Sequence, residues 1–280
     1  MIEYKLNLAG CECSIAEWNP DGKQVVLAFH GWLDNLATFE KLAVHLNDIR
    51  IIGVDLPGHG HSAHIPEGKA YHFIDSLFII DDLIEHLSLK SANLLGHSMG
   101  GALATIYAAI QPNRVDKLLL IEALGPVTSP VNKTLESLSK AISQRRALKD
   151  KRKPVYASFE EALKTRAEVS SVQPDLIRPL VERALTSVDG GYTWRADSRL
   201  RIPSTIRMSE QHICSILPAI EAPVMLIEGK SGMLLAENAQ YIQDRKSLVK
   251  DLKVYQFDGG HHLHLEYPEI IAKQIKVFLE

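Results

Sequence analysis

The pentapeptide Gly96-His97-Ser98-Met99-Gly100 contains the residue types of a covalent acyl-transfer site. A serine hydroxyl is a weak nucleophile, so it must be exposed and held beside a base. A sharp turn from a strand into a helix exposes such a side chain, and a glycine on either side relieves the crowding of the backbone there. The sequence therefore predicts Ser98 as a nucleophile, with an ordinary glycine-rich turn as the alternative.

Two further stretches predict donors for a developing oxyanion. Small apolar residues at helical spacing follow the serine over 102–109, so a helix is predicted to start at the turn and to direct its first N–H groups at negative charge. The apolar run 25–29 ends in the glycine-containing loop 30–35, which can bring another N–H group close. We predict the backbone N–H groups of Trp32 and Met99 as the two donors.

The base and the acid that orients it must come from other loops. Gly259 and Gly260 follow the last predicted strand and give the next residue freedom to reach over the sheet, so we predict His261 as the base. We expect packing or surface roles for its neighbours His262 and His264. For the acid we predict Glu122, at the end of the strand 115–122.

The acid has a second candidate, and Glu122 has an alternative role. The turn 229–232 contains no carboxylate, which favours Glu122, and Glu228, at the end of the strand 224–228, is the second candidate. In its alternative role, Glu122 only anchors the segment that follows it.

Other residues are weaker candidates. His30, His97 and Trp194 are predicted to contact substrate, although for His30 a structural role within its loop is favoured, and for Trp194 anchoring of its segment is an equal alternative. Three histidines lie in the loop 57–64, but their spacing is not that of a compact zinc site, so no metal and no cofactor are predicted.

Composition favours a small-molecule substrate over a macromolecular partner. The net charge is −3, and the most basic stretch, 145–153, is typical of a solvated helix end, so no nucleic-acid partner is predicted. No stretch approaches the roughly 20 apolar residues of a membrane span. Three cysteines without a disulfide or zinc pattern predict a cytoplasmic protein. No pattern points to a particular oligomeric state.

The elements that position these residues alternate along the chain. Apolar runs at 25–29, 51–56, 115–122 and 224–229 are separated by helical patterns, which predicts a parallel sheet preceded by a hairpin at 2–19. The segment 126–204 shows amphipathic helical patches, at 131–147, 158–167 and 175–185, and no clear strand. We predict a core of residues 1–125 and 205–280 with a helical cap, 126–204, inserted into it.

Taken together, the motifs at 29–32, 55–62, 96–101 and 259–261 resemble landmarks of the α/β-hydrolase superfamily, and those at 30–35 and 96–101 are most similar to its serine hydrolase-like proteins. The resemblance implies an α/β fold with an eight-stranded, mostly parallel sheet, flanking helices and a helical cap after the strand ending at Glu122. The acid position resembles that of haloalkane dehalogenases. Those enzymes use an aspartate nucleophile where this chain has Ser98, so neither their activity nor epoxide hydrolysis is implied. Gly232 stands where many members carry the acid.

The residues and the resemblance together predict a serine hydrolase that cleaves an ester or thioester of a small to medium acyl group through an acyl-enzyme. A carbon–carbon bond hydrolase of diketone type and a cofactor-free haloperoxidase are alternatives with the same three residues. A ligand-binding protein that retains the fold without catalysis is the alternative from outside the enzymes.

Overall fold

The computed structural model of the protein describes residues 1–148, 150–236 and 239–280. Within those residues, a sheet of eight strands has the order β1-β2-β4-β3-β5-β6-β9-β10, and a separate hairpin pairs β7 with β8. The strands are β1 Ile2–Leu8, β2 Cys11–Trp18, β3 Gln24–Phe29, β4 Ile49–Val54, β5 Ala92–His97, β6 Val115–Ile121, β7 Leu185–Val188, β8 Gly191–Trp194, β9 Val224–Gly229 and β10 Leu252–Phe257. The predicted eight-stranded, mostly parallel sheet is confirmed, since only the β1–β2 and β2–β4 pairs are antiparallel.

The central strands are buried on both faces, as their continuous apolar runs predict. Alternate residues of β3 reach two different cores, Leu27 and Phe29 on one face and Val26 and Ala28 on the other. The edge strand β10 is partly or fully exposed along its length. Because the parallel strands β3, β5, β6, β9 and β10 run in one direction, the loops after them meet at one edge of the sheet.

Helices cover both faces of this sheet. In the part of the chain that the structure describes, they are α1 Glu40–Val44, α2 Ser76–His86, α3 Met99–Ile110, α4 Thr134–Leu148, α5 Phe159–Ser170, α6 Pro174–Ala184, α7 Glu210–Ile216, α8 Met233–Ala236, α9 Ala239–Leu248, α10 Leu263–Glu266 and α11 Pro268–Leu279. Residues of α2 and α3 pack in one core, and residues of α1 and α11 pack in the other. The sequence pattern also predicts a helix from about residue 235 to 248, and residues 237 and 238 of that stretch lie outside the described residues.

The segment between β6 and β9 contains the three predicted helical stretches, as α4, α5 and α6. The prediction that this segment has no strands was wrong, because β7 and β8 pair antiparallel within it. Each strand has only four residues, too few for an alternating pattern to be recognised. The hairpin is held to Tyr156 by two backbone hydrogen bonds with Tyr192, of 2.8 and 2.9 Å. A side chain at Gly191 would collide with the Tyr156 carbonyl oxygen.

None of the described helices combines the length and the apolar character that crossing a membrane requires.

Candidate active site

Ser98 lies in the turn between β5 and α3, in a strained backbone conformation. Its φ is 51° and its ψ is −115°, a combination that costs a residue with a side chain about 1–3 kcal/mol. The surrounding backbone holds the turn, since Ser98 N–H donates to the Ile121 carbonyl at 3.0 Å and Ala102 N–H donates to the Ser98 carbonyl at 2.9 Å. This conformation lifts the side chain from the sheet to the wall of a cavity.

The flanking glycines are required by close backbone contacts. A Cβ atom at Gly100 would lie 1.9 Å from the Phe29 carbonyl oxygen, and one at Gly96 would lie 2.3 Å from the Cα of Gly101. No real Cβ tolerates such distances, so a larger residue at either position would push α3 away from the strands. The spacing of the pentapeptide is therefore explained by how closely α3 approaches β3 and β5.

His261 and Glu122 meet at the same edge of the sheet. His261 Nδ1 lies 3.3 Å from Glu122 Oε2. The carboxylate also accepts hydrogen bonds from the backbone N–H of Gly229, at 2.7 Å, and of Leu234, at 3.2 Å. Three donors thus converge on a buried carboxylate whose position determines which way the His261 ring faces.

The electrostatics of this pair favour a charged acid and a neutral base. Burial opposes the charge of Glu122, but the hydrogen bonds from His261, Gly229 and Leu234 outweigh it and hold the pKa of Glu122 below its ordinary value. Burial is also the largest influence on His261 and lowers the pKa of its ring, although Glu122 acts in the opposite direction. A neutral imidazole is the form that accepts a proton.

Gly232 explains why the carboxylate of Glu122 fits at this point. A Cβ atom at Gly232 would lie 2.3 Å from Glu122 Oε2. The space that a side chain would fill is therefore taken by the carboxylate that arrives from β6. Glu228, the second candidate for the acid, instead pairs with Lys246 of α9, at 2.6 Å.

The loop after β3 brings Trp32 to the same site. Leu33 has a φ of 59°, and Asp34 N–H donates to the Gly31 carbonyl at 3.1 Å, which closes a tight turn around Trp32. The Trp32 indole donates to the Leu200 carbonyl at 3.0 Å. Trp32 and Met99 both line the cavity that contains Ser98. The oxyanion role of their backbone N–H groups stays a prediction.

The three residues predicted to contact substrate have different surroundings. His30 is completely buried, its Nε2 accepts from the Leu56 N–H at 3.0 Å, and burial lowers the pKa of its ring to about 4. This position favours the structural role over substrate contact. Trp194 donates to the Tyr156 hydroxyl at 3.2 Å and packs against the small core of the segment between β6 and β9, which favours anchoring.

His97 lies between the site and the interior. Its Nε2 is 2.9 Å from the backbone oxygen of His261, and its ring lines a cavity beside Ser98. The other ring atom, Nδ1, faces Asp34, a buried residue that the sequence did not single out. His262 and His264, expected to have packing or surface roles, are both buried. The histidines of the loop 57–64 do not form one cluster: His59 contacts the Pro57 carbonyl, and His61 contacts Glu3.

Two cavities meet at Ser98 and His261. One has a volume of about 1060 Å³, and its lining includes residues of the segments 123–128 and 200–208. The other has a volume of about 1020 Å³ and is lined by loops after β3, β5 and β10 and by residues of α5. Trp32, Ser98, Met233 and His261 line both cavities. A bound molecule with one half in each cavity can therefore place the bond between its halves at Ser98.

Comparison with known proteins places the chain among alpha/beta hydrolases. The family model described as alpha/beta hydrolase fold matches residues 24–268. A probable serine hydrolase of Drosophila melanogaster is 32% identical over 94% of this chain and 83% of its own length. The crystal structure of a hypothetical protein from Pseudomonas aeruginosa PAO1 has a TM-score of 0.92 and 35% identity, over 100% of this chain and 99% of its own. A thioesterase domain from the curacin biosynthetic pathway has a TM-score of 0.84 and 26% identity, and 98% of each chain is covered.

Proposed function

The chain belongs to the alpha/beta hydrolase fold family, and we propose that it is a serine hydrolase that cleaves an ester or thioester of a small to medium acyl group. The observation that carries the proposal is the Glu122–His261 contact of 3.3 Å beside the strained Ser98 turn, at the junction of two cavities. A relative named as a probable serine hydrolase and a structural neighbour that is a thioesterase domain support the proposal.

In the proposed reaction, Ser98 Oγ attacks the carbonyl carbon of the substrate while His261 Nε2 takes the hydroxyl proton. Glu122 accepts the Nδ1–H hydrogen bond and stabilises the imidazolium that forms. The N–H groups of Trp32 and Met99 stabilise the negative oxygen. The bond to the leaving alcohol or thiol then breaks, and His261 returns the proton to it. Water repeats the sequence on the acyl-enzyme and releases the acid.

We also propose that residues 126–204 form a cap on the core of residues 1–125 and 205–280 and shape the acyl pocket. The support is that the larger cavity is lined by Lys140 and Gln144 of α4 and by the segment that follows the hairpin, together with Ser98. A pocket built from both parts selects its substrate by the cap. The three free cysteines, two of them buried in β2, support the proposed cytoplasmic location.

Hydrolysis of p-nitrophenyl esters and acyl thioesters over a series of acyl lengths tests the proposal. We expect turnover with an optimum at small to medium acyl groups, and a loss of about a hundredfold or more in Ser98→Ala. A wild-type protein that neither hydrolyses any member of the series nor forms an adduct with a fluorophosphonate would refute the proposal and favour a ligand-binding protein.

A further inference from the structure

Asp34, His97 and His262 form a buried cluster beside the candidate active site. Their side chains are 2%, 1% and 8% exposed. Asp34 Oδ2 lies 3.5 Å from His97 Nδ1 and 3.2 Å from His262 Nε2, and one ligating atom from each residue lies within 4.8 Å of the others. A tetrahedral zinc site with bonds of about 2.1 Å separates its ligand atoms by about 3.4 Å. The two contacts of Asp34 Oδ2 are thus close to the spacing of ligands around one ion.

The hydrogen bond of His97 makes its other nitrogen available to a cation. Its Nε2 lies 2.9 Å from the backbone oxygen of His261. A carbonyl oxygen only accepts, so Nε2 carries a hydrogen, and Nδ1 is the ring nitrogen left for a cation. Among the described residues, the buried Nδ1 has no hydrogen-bond partner. It faces the Asp34 carboxylate at 3.5 Å, a distance at which a proton or a metal cation can lie between the two atoms.

Two of the three residues have the outer contacts found around metal ligands, whereas His262 Nδ1 has no hydrogen-bond partner among the described residues. Metal-bound histidines donate their second N–H to a carbonyl or carboxylate, and metal-bound carboxylates accept further hydrogen bonds. His97 makes such a contact with the His261 carbonyl, and Arg166 of α5 holds Asp34 through Oδ1. Oδ2 is left facing the two imidazoles. Because Arg166 already balances the charge of Asp34, the site favours an ion bound mainly through nitrogen over a hard ion such as magnesium or calcium.

An ion has both space and a path to this point. A Cβ atom at Gly31 would lie 3.0 Å from His97 Nδ1 and 3.2 Å from Asp34 Oδ2, so the missing side chain leaves room on the side that both atoms face. The cavity of about 1020 Å³ is lined by Asp34, His97 and His262, and it supplies access and room for a water as fourth ligand.

We propose that Asp34 Oδ2, His97 Nδ1 and His262 Nε2 bind one divalent transition-metal ion, zinc fitting best, with the fourth position open to the cavity. Each ligand is a near neighbour in sequence of a proposed catalytic residue. Asp34 follows Trp32 by two residues, His97 directly precedes Ser98, and His262 directly follows His261. The ion therefore joins the three loops that carry the oxyanion donor, the nucleophile and the base.

Titration of the chelator-treated full chain with Co²⁺, followed by visible absorption, tests the site. We expect one equivalent of Co²⁺ with the strong absorption of a tetrahedral complex, displaced by one equivalent of Zn²⁺. His262→Gln and Asp34→Asn should each lose this absorption. His64→Gln is the matched control, because its exposed imidazole lies outside the cluster, and it should bind like wild type.

Thermal unfolding of the same variants with and without Zn²⁺ gives a second measurement. The Tm of the wild type and of His64→Gln should rise with Zn²⁺, and that of the cluster variants should not. Absence of Co²⁺ binding by the wild type, or a spectrum unchanged in both cluster variants, would overturn the proposal. Neither measurement depends on turnover, so this failure is distinct from a failure of the proposed hydrolase activity.

Discussion

Two buried carboxylates lie at the same edge of the sheet, and each faces a different histidine of the loop after β10. Glu122 faces His261 and otherwise accepts backbone N–H groups, so it contacts a single ring, which lines the same cavities as Ser98. Asp34 faces His262 and His97 together, and Arg166 holds its other oxygen. Both carboxylates are buried, so the donors around each one decide whether it orients one base or forms a charged cluster.

The two carboxylates also differ in the groups that keep them charged. Burial acts against the charge of Asp34, but His262, His97 and Arg166 hold its pKa well below the ordinary value. For Glu122 the depression of the pKa depends on one imidazole and two backbone groups. Neutralising Glu122 should therefore damage the reaction, whereas neutralising Asp34 should chiefly damage stability.

The largest effect is expected for Glu122→Gln. The amide keeps the shape of the side chain but no longer stabilises the imidazolium, so kcat for a p-nitrophenyl ester should fall by about a hundredfold or more. Glu228→Gln is the control, since Glu228 pairs with Lys246 and not with His261. Full activity of Glu122→Gln with loss of activity in Glu228→Gln would reverse the assignment of the acid.

A smaller loss is expected for Gly232→Ala. The new Cβ meets the Glu122 carboxylate and must displace it from His261, so kcat should fall by about tenfold or more while KM changes little. Gly260→Ala is a matched control beside His261, because Gly260 does not have a positive φ and, apart from its two chain neighbours, no described atom lies within 4 Å of a Cβ there. Equal kcat values for the two variants would contradict the role given to the space at Gly232.

Asp34→Asn should separate stability from catalysis. Arg166 would lose its buried partner, and breaking such a pair costs about 3–5 kcal/mol. The Tm measured by calorimetry should fall by about 5 °C or more, while kcat should fall less than in Glu122→Gln. A variant with unchanged Tm and a hundredfold lower kcat would mean that Asp34, and not Glu122, supports the base.

The smallest effect is expected at a third carboxylate, outside the site. Hydrogen bonding to Arg183 of α6 is the main reason that the pKa of Glu3 falls from 4.5 to about 2. A depressed pKa stabilises the folded state above the unfolded value, so this contribution should be complete above pH 4.5 and lost as the pH falls toward 2. The Tm of Glu3→Gln should vary less than that of the wild type across this range. Parallel Tm curves would contradict the contribution of the Glu3–Arg183 pair.

The parts of the fold that sequence predicts well are those with a local physical signal. The strands around Ser98 are continuous apolar runs, and the glycines at 96 and 100 mark a turn that only small residues permit. The hairpin of β7 and β8 was missed because four residues per strand carry no clear period.

The candidate site residues could be proposed from sequence where a loop follows a recognisable strand, as for Ser98 and His261. The choice between Glu122 and Glu228 depends on the space at Gly232, which appears only when β6 and β9 are placed side by side. The cluster of Asp34 with His262 joins residues 228 positions apart. No local sequence pattern predicts such a contact, although Asp34 lies in the loop 30–35 and His262 directly follows His261.

The most direct test of the central claim is intact-mass and peptide analysis after reaction with a fluorophosphonate. We expect one adduct per chain, located on Ser98, absent in Ser98→Ala and formed far more slowly in His261→Gln, whose glutamine cannot serve as the base. A wild-type chain without an adduct, or an adduct that persists in Ser98→Ala, would contradict it.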